Sequence, residues 1–385
     1  MASSPINSKF ARGLKHIATS AALWLCLVLP SAFVVEKFLG TISLAIYVIF
    51  AALVVAVLPY LKFQVSERNA RVLAIVTFAA LILIFAIVYP VANTHQPHAG
   101  SDADDAINIG ALALLHGHYP YYLRTYLNNL IHPFPGSFLI AAPFVLMGTS
   151  ALQNLFWLGM LFLVLRKELG QTFAALRWFL VLLVLSPIVI HQLATGTDHI
   201  SNAIYVMLTL WWLVRARNKY LPAGLWGIAL SSRANFLFLI PVAFGWLGKR
   251  YGWKNSMKYI SLTCITFAVI TLPFYFYDPP GFAPLEAANR LARFEGLIPH
   301  ATWLIAGGMV LLSAGLGFAP MKSSASLWLR CAIVQAFPVI VGSLLEGGLS
   351  YLAYGAFFLP FGLLAAATYE RESSKVVKDA SPPMT

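Results

Sequence analysis

An all-α, polytopic membrane bundle is the fold this sequence predicts, on three observations. Hydrophobic residues make up 59% of the chain and charged residues only 10%, where a soluble domain carries roughly 25% charged residues. The apolar residues fall into runs close to the roughly 20 positions a helix needs to cross the hydrocarbon core of a bilayer. The basic residues collect in short loops between alternate runs, which is the signature of membrane topology. Lipid offers the backbone no hydrogen-bond partners, so each run closes its own bonds as a helix. The chain reads as a single membrane domain, 1–385, with about ten spanning helices, a re-entrant broken hairpin and interfacial helices. Its net charge of +12 is spread over loops, which argues against a nucleic-acid face and predicts no nucleic-acid partner.

Three N-terminal helices occupy 1–91, in runs at 17–35, 41–61 and 72–91. The basic start (Lys9, Arg12, Lys15) precedes a first run that lacks a convincing cleavage site, so a retained helix is expected rather than a signal peptide. A large outer loop follows at 92–149. Within it, 103–116 has helical spacing, and 134–148 is a short, Pro-bounded apolar piece suited to a re-entrant or interfacial helix. Core helices at 150–165, 177–195, 199–214 and 258–277 lie on either side of 221–248. That last segment is too short for two crossings at about 1.5 Å per residue, and Ser231-Ser232-Arg233 interrupts it midway. A hairpin that enters and leaves by one side is expected there. Residues 278–298 read as an outer amphipathic helix, 299–319, 324–342 and 347–368 as the last helices, and 369–385 as a cytoplasmic tail, disordered after Arg371.

Charge tests this layout. With both termini cytoplasmic, 21 of the 26 basic residues fall inside, while Lys37, Arg124, Arg290 and Arg293 fall outside and Arg233 sits in the hairpin break. A full crossing by either short piece would invert the later loops and erase the asymmetry. Cys26, Cys264 and Cys331 lie inside apolar runs without metal or redox spacing, and are expected as small core residues.

The chemistry-bearing residues concentrate in the outer loop. Three of only 14 acidic residues, Asp102, Asp104 and Asp105, stand within four positions. One reading is an acidic cap on the helix that follows, since the helix dipole favours negative charge there. The other is a general base toward an acceptor hydroxyl. Asp102 and Asp104 also make an Asp-x-Asp pair, a weak cation signal. His95, His98, His116, His118 and His132 share the loop without ligand spacing and read as solvated or hydrogen-bonded histidines, so no metal site is expected. His132-Pro-Phe-Pro-Gly136 stops one helix and angles the next. Asp198-His199, after Gly196-Thr197, caps a turn or faces the outer cavity. Arg233 has no acidic neighbour in sequence, so it needs an anion, a path to water, or a distant carboxylate such as Asp198. Arg290 and Arg293, three apart, suit a lipid-linked phosphate or lipid head groups.

In order and spacing, these motifs resemble the integral-membrane glycosyltransferases of the GT-C superfamily, in the polyprenyl-phosphate-sugar-dependent, mannosyltransferase-like branch. The residues that carry the likeness are Asp102 to Asp105, Ala111-Leu-Ala-Leu-Leu-His-Gly117, Tyr119-Pro-Tyr121, Pro133-Phe-Pro-Gly136 and Pro143-Phe-Val-Leu-Met-Gly148. Ser186-Pro187, Gly196-Thr-Asp198 and Ala223-Gly-Leu-Trp-Gly-Ile-Ala-Leu-Ser-Ser-Arg233 continue it. It covers roughly residues 90–280. The family places its catalytic loop after the first helix, whereas three helices precede it here.

The resemblance implies a cell-envelope enzyme of the cell (inner) membrane with an extracytoplasmic site. A sugar would pass from a polyprenyl-phosphate donor to a glycan, lipid or protein acceptor. Asp102, Asp105 or Asp104 would be the base, with Asp102 favoured as lying nearest the membrane exit. Arg233, with Arg290 and Arg293, would hold the donor phosphate, and Asp198, His199, His132 and Tyr121 would line the cavity. A lipid phosphate leaves as a monoester, so no cofactor is required, although a divalent cation is compatible. No Gly-rich nucleotide loop is seen, in keeping with a lipid-linked donor. The rival reading is a secondary transporter or flippase, which would show two similar halves; no second Asp-rich loop or broken hairpin is found.

Overall fold

The computed structural model describes residues 5–61, 63, 65–94, 101–285 and 293–379. Among them the chain is all-helical; its one β contact is an isolated bridge between Arg124 and Leu130. Five helices are long and apolar enough to cross a membrane, and two bent pairs raise that number to seven. The protein is an integral membrane protein.

The first two apolar runs form α1 (Pro5–Val57), two helices that fold back on each other at Gly40, so that Trp24 Nε1 donates to Val48 O at 3.2 Å and the Tyr47 hydroxyl donates to Leu27 O at 3.5 Å. The expected loop at 36–39 is helical, and the only break is at Gly40, whose φ of 83° interrupts the helix. A helix persists there because Glu36-Lys37-Phe38-Leu39 contains no residue that stops one. Ser66 opens α2 (Glu67–Ala92) by accepting from the Asn69 N–H. The segment after α2 then folds as α3 (Ala103–Leu115) and α4 (Pro135–Leu146), which pack on each other. Gly170, in the left-handed region, separates α5 (Leu152–Leu169) from α6 (Thr172–Leu185). At Ser186-Pro187 the chain bends by 78° into α7 (Pro187–Thr195). Proline lacks the N–H to continue a helix; here the Ser186 hydroxyl donates to Leu27 O and the Ile188 N–H donates to Ser31, tying the bend to α1.

Next come α8 (His199–Arg215), α9 (Tyr220–Leu230) and α10 (Ile240–Tyr251), with a 3-10 segment, Ala234–Leu239, between the last two. The chain breaks at Ser231–Arg233 and returns. Lys219, just before α9, lies 4.1 Å from the ring of Tyr251 at the end of α10, and the Tyr251 hydroxyl donates to Val214 O. Both ends of this hairpin therefore meet. Long α11 (Trp253–Tyr277) packs against α9 and α10. After it stand α12 (Ala301–Phe318), α13 (Ser324–Glu346), a 3-10 segment Ser350–Phe357, and α14 (Leu359–Asp379). Of the expected amphipathic helix at 278–298, residues 286–292 lie outside the described residues; the described positions on either side form turns and short 3-10 pieces, among them Ala283–Leu285, rather than an α-helix.

The tail expected to be disordered after Arg371 instead continues α14 to Asp379. Ion pairs at its start explain the order. Arg177 pairs with Glu370, and the Ser324 N–H donates to Glu372. Arg371 and Arg215 both donate to the buried Glu168 at 2.6 Å, and Trp211 donates to it as well. A buried carboxylate persists where partners of this kind offset its desolvation.

Surface and core are arranged for lipid. Trp226, Trp246, Trp328 and Tyr205 are fully buried between helices, while α1, α2 and α12 expose Ile42 (79%), Ile75 (68%) and Leu311 (75%). Apolar rows of that size on the outside of a helix suit hydrocarbon rather than water.

Candidate functional site

Around the hairpin break, four elements converge. Gly136, at the start of α4, sits so close to the break that a Cβ there would lie 2.4 Å from the carbonyl oxygens of Ile228 and Ser231. The Phe134 N–H donates to Ser232 O at 3.1 Å, and the Ser137 hydroxyl donates to the same oxygen at 3.3 Å. Pro133-Phe-Pro-Gly136 is thus a docking edge: its prolines, which have no N–H, hold the turn extended, the Phe134 N–H reaches the break, and the glycine permits the close contact.

Arg233 extends from this break to Asp198, donating from one amino group to both carboxylate oxygens at 2.7 and 2.9 Å. Asp198 is buried, at 1% exposure. The Asn202 amide donates to it at 2.6 Å, and the Tyr205 hydroxyl donates to Asn202 Oδ1. The pairing with a distant carboxylate is therefore what the structure contains. It does not exhaust the guanidinium: Arg233 Nε is buried with no acceptor among the described residues.

His199, first residue of α8, packs at a tilt against Tyr354 and Phe357, with ring centroids 5.3 and 4.8 Å away. Tyr354 in turn contacts Tyr351, on which the Arg293 guanidinium rests at 4.8 Å. Arg293 also pairs with Glu346 at 3.3 Å. A row of aromatic rings thus connects Arg293 to His199. Arg290 lies outside the described residues.

The three clustered carboxylates have separate environments. Asp102 stands at the start of α3 but caps nothing with its side chain; Ser101 accepts from the Ala103 N–H instead. Asp102 Oδ2 accepts from the Thr125 hydroxyl at 2.6 Å and the Asn129 amide at 2.7 Å, and so holds the 125–129 turn. Asp104 is buried, at 2% exposure. Its Oδ2 accepts from Tyr89 and Asn93, each at 2.7 Å, while Oδ1 is buried with no partner among the described residues. Burial, above all, pushes its carboxyl up to about 6, and Asp105 beside it adds to the rise. Asp104 is a joint between α2 and α3. Asp105 is nearly buried on the same first turn. Tyr126 lies close to all three: its phenol is pushed up, first by partial burial and then by these carboxylates.

Two expected cavity residues lie elsewhere. Tyr121, at 2% exposure, is core: its hydroxyl donates to Pro133 O, and its ring packs on Phe138, Phe274 and Phe282. The Tyr119-Pro-Tyr121 turn points inward because this aromatic cluster offers more apolar contact than the loop surface. His132 is half-buried against the 283 turn, with Nδ1 3.4 Å from Ala283 O. His95 and His98 are outside the described residues, and His116 contacts Leu112 O on its own helix.

Several partners escaped the sequence reading, namely Tyr89, Asn93, Asn202, Tyr205, Tyr354 and Phe357. A local signal existed for the first two, a tyrosine and an asparagine four apart at the end of an otherwise apolar helix, which share a face. Gly196 joins the two halves of the site. With φ of 71°, it places the Asp198 turn so tightly against α3 that a Cβ would lie 3.0 Å from that of Asp104. No group of three or more His, Cys, Asp or Glu side chains suited to a metal occurs among the described residues. Comparison of the chain with protein families, curated proteins and solved structures finds no match.

Proposed function

We propose that this protein is a GT-C-like membrane glycosyltransferase that moves a sugar from a polyprenyl phosphate to an acceptor hydroxyl on the extracytoplasmic face. In this reading about ten helices span the cell (inner) membrane, with both termini cytoplasmic. The observation that carries it is Arg233. A guanidinium lodged between two half-helices gives one amino group to Asp198 and leaves Nε without an acceptor among the described residues. Leaving a buried donor unpaired costs about 1–3 kcal/mol, a cost that a phosphate oxygen would offset. The aromatic faces of Tyr354 and Phe357 beside His199 suit a sugar ring or the first carbons of a lipid tail.

The reaction needs few parts. The acceptor oxygen forms a bond to the anomeric carbon as the bond from that carbon to the phosphate oxygen breaks. The acceptor proton passes to Asp102 or Asp105, and the bonding electrons leave with the lipid phosphate, whose charge Arg233 stabilises. Asp198 holds the guanidinium in place until the donor arrives.

The test is transfer by the purified protein in lipid, offered polyprenyl-phosphate mannose, glucose or arabinose with a membrane-lipid extract. Wild type should form product from one donor. Asp102→Asn or Asp105→Asn should lower turnover by a factor of about 100 or more without loss of donor binding. Full activity in both variants would remove the general-base assignment. Donor binding without transfer would favour a lipid-sugar flippase, and absence of binding a transporter of another substrate.

A further inference from the structure

The segment that joins Arg233 to α10 is not carried by a helix of its own. Ala234–Leu239 forms six residues of 3-10 helix, although runs beyond three or four are uncommon because their hydrogen bonds are poorly aligned. An α-helix cannot run on into α10. Pro241 has no N–H to donate to the carbonyl of Leu237, and its ring crowds that oxygen; the Ile240 N–H donates to it instead. At the other end stands Arg233 itself, with extended backbone at φ −151° and ψ 139°, so no helix continues through that side either.

Two side chains grip the segment from across the bundle. Gln335, on α13, exchanges two hydrogen bonds with Asn235: the Asn235 amide donates to Gln335 Oε1 at 2.6 Å, and the Gln335 amide donates to Asn235 O at 3.0 Å. Ser313, on α12, donates to Phe238 O. Gln335 is at 1% exposure and is the only polar side chain in the run 332–341. Burying an amide is costly unless it is bonded, and the bonds of this one go to the residue two past Arg233. Beside it Phe236 packs edge-on against Phe357, 5.5 Å away, and Phe357 meets His199. A 3-10 helix rises about 2.0 Å per residue and an α-helix about 1.5 Å, so six residues leave about 3 Å of slack between the two forms. Arg233 meets Asp198 at 2.7 and 2.9 Å, and a shift of about 1 Å breaks bonds of that length.

We propose that Gln335 is a positioning residue for Arg233: its grip on Asn235 fixes the 234–239 segment and so places the guanidinium beside Asp198. The consequence for ligand binding rests on the reading of Arg233 as the donor-phosphate site.

The experiment uses the full chain in phosphatidylcholine nanodiscs and compares wild type, Asn235→Leu with Gln335→Leu, and Asp198→Asn with Arg233→Gln. Replacing both amides by apolar side chains strands neither of them, so the leucine pair should melt close to wild type. Amide hydrogen exchange, mapped by mass spectrometry, should nevertheless rise about tenfold over residues 233–239 for the two bonds lost, and stay as in wild type over α5. Each protein is then titrated with farnesyl phosphate, and with farnesol as the uncharged control. Wild type should prefer the phosphate, the Asp198→Asn, Arg233→Gln protein should show no preference, and the leucine pair should lose about tenfold of it. Gln335→Met, close in shape, carries the same test if the leucine pair does not fold. Unchanged exchange over 233–239, or an unchanged preference in a protein whose exchange has risen, would overturn the positioning role. A wild type that binds both probes alike would instead refute the phosphate reading of Arg233, while raised exchange over 233–239 would still uphold the grip of Gln335.

Discussion

Asp104 makes this protein's stability depend on pH in a way a single substitution can read. Its carboxyl is raised from 3.8 to about 6, chiefly because it is buried. A group raised in the folded state binds its proton more tightly there than in the unfolded chain. The stability it contributes is fully present below pH 3.8 and is lost as pH rises through about 6. A shift of about two units corresponds to about 3 kcal/mol, which is large against typical net stabilities of about 5–15 kcal/mol. Asp104→Asn keeps an oxygen to accept from Tyr89 and Asn93 and places an N–H₂ where Oδ1 has no partner, but it cannot ionise. Thermal unfolding of wild type and variant in detergent, from pH 4 to pH 7.5, measures the difference, and groups common to both cancel. The variant should gain on wild type across pH 4 to 6 by several degrees, and the gap should then level off. Parallel curves, or a variant that loses ground as pH rises, would show that Asp104 is ionised and satisfied in the native state, and would refute the reasoning.

Two further substitutions probe the site's framework. Arg233→Gln strands the buried Asp198 carboxylate and should cost about 3–5 kcal/mol of stability, whereas Asp198→Asn combined with Arg233→Gln should recover most of it; thermal melts of the three proteins decide. Gly196→Ala forces a side chain into the left-handed region and against Tyr89 and Asp104, so it should cost about 1–3 kcal/mol and lower any transfer activity, while Gly148→Ala, with open space around it, pays only the backbone strain.

How much of the site could be read in advance depended on the range of the forces that form it. The break at Ser231–Arg233 was legible because two serines and an arginine interrupt an apolar run too short to cross twice. The helix at Ala103–Leu115 was legible from its spacing and its acidic first turn. The choice among Asp102, Asp104 and Asp105 was not, because all three look equivalent along the chain. Burial separates them: Asp104 sits under Tyr89 and Gly196, while Asp102 turns to Thr125 and Asn129. The tail beyond Arg371 misled for a similar reason, since Glu168 and Arg177, which hold it, lie about two hundred residues away.

By itself the sequence determined that this chain lives in lipid, that it is helical throughout, and where its hairpin turns. Those properties follow from local composition, since a backbone in hydrocarbon satisfies itself within each segment. Only the tertiary structure decided that Arg233 meets Asp198, that Tyr121 faces inward, and that Gln335 on α13 holds Asn235. Each of these depends on how helices distant in sequence pack, and packing is set by the shapes of all the side chains in contact at once.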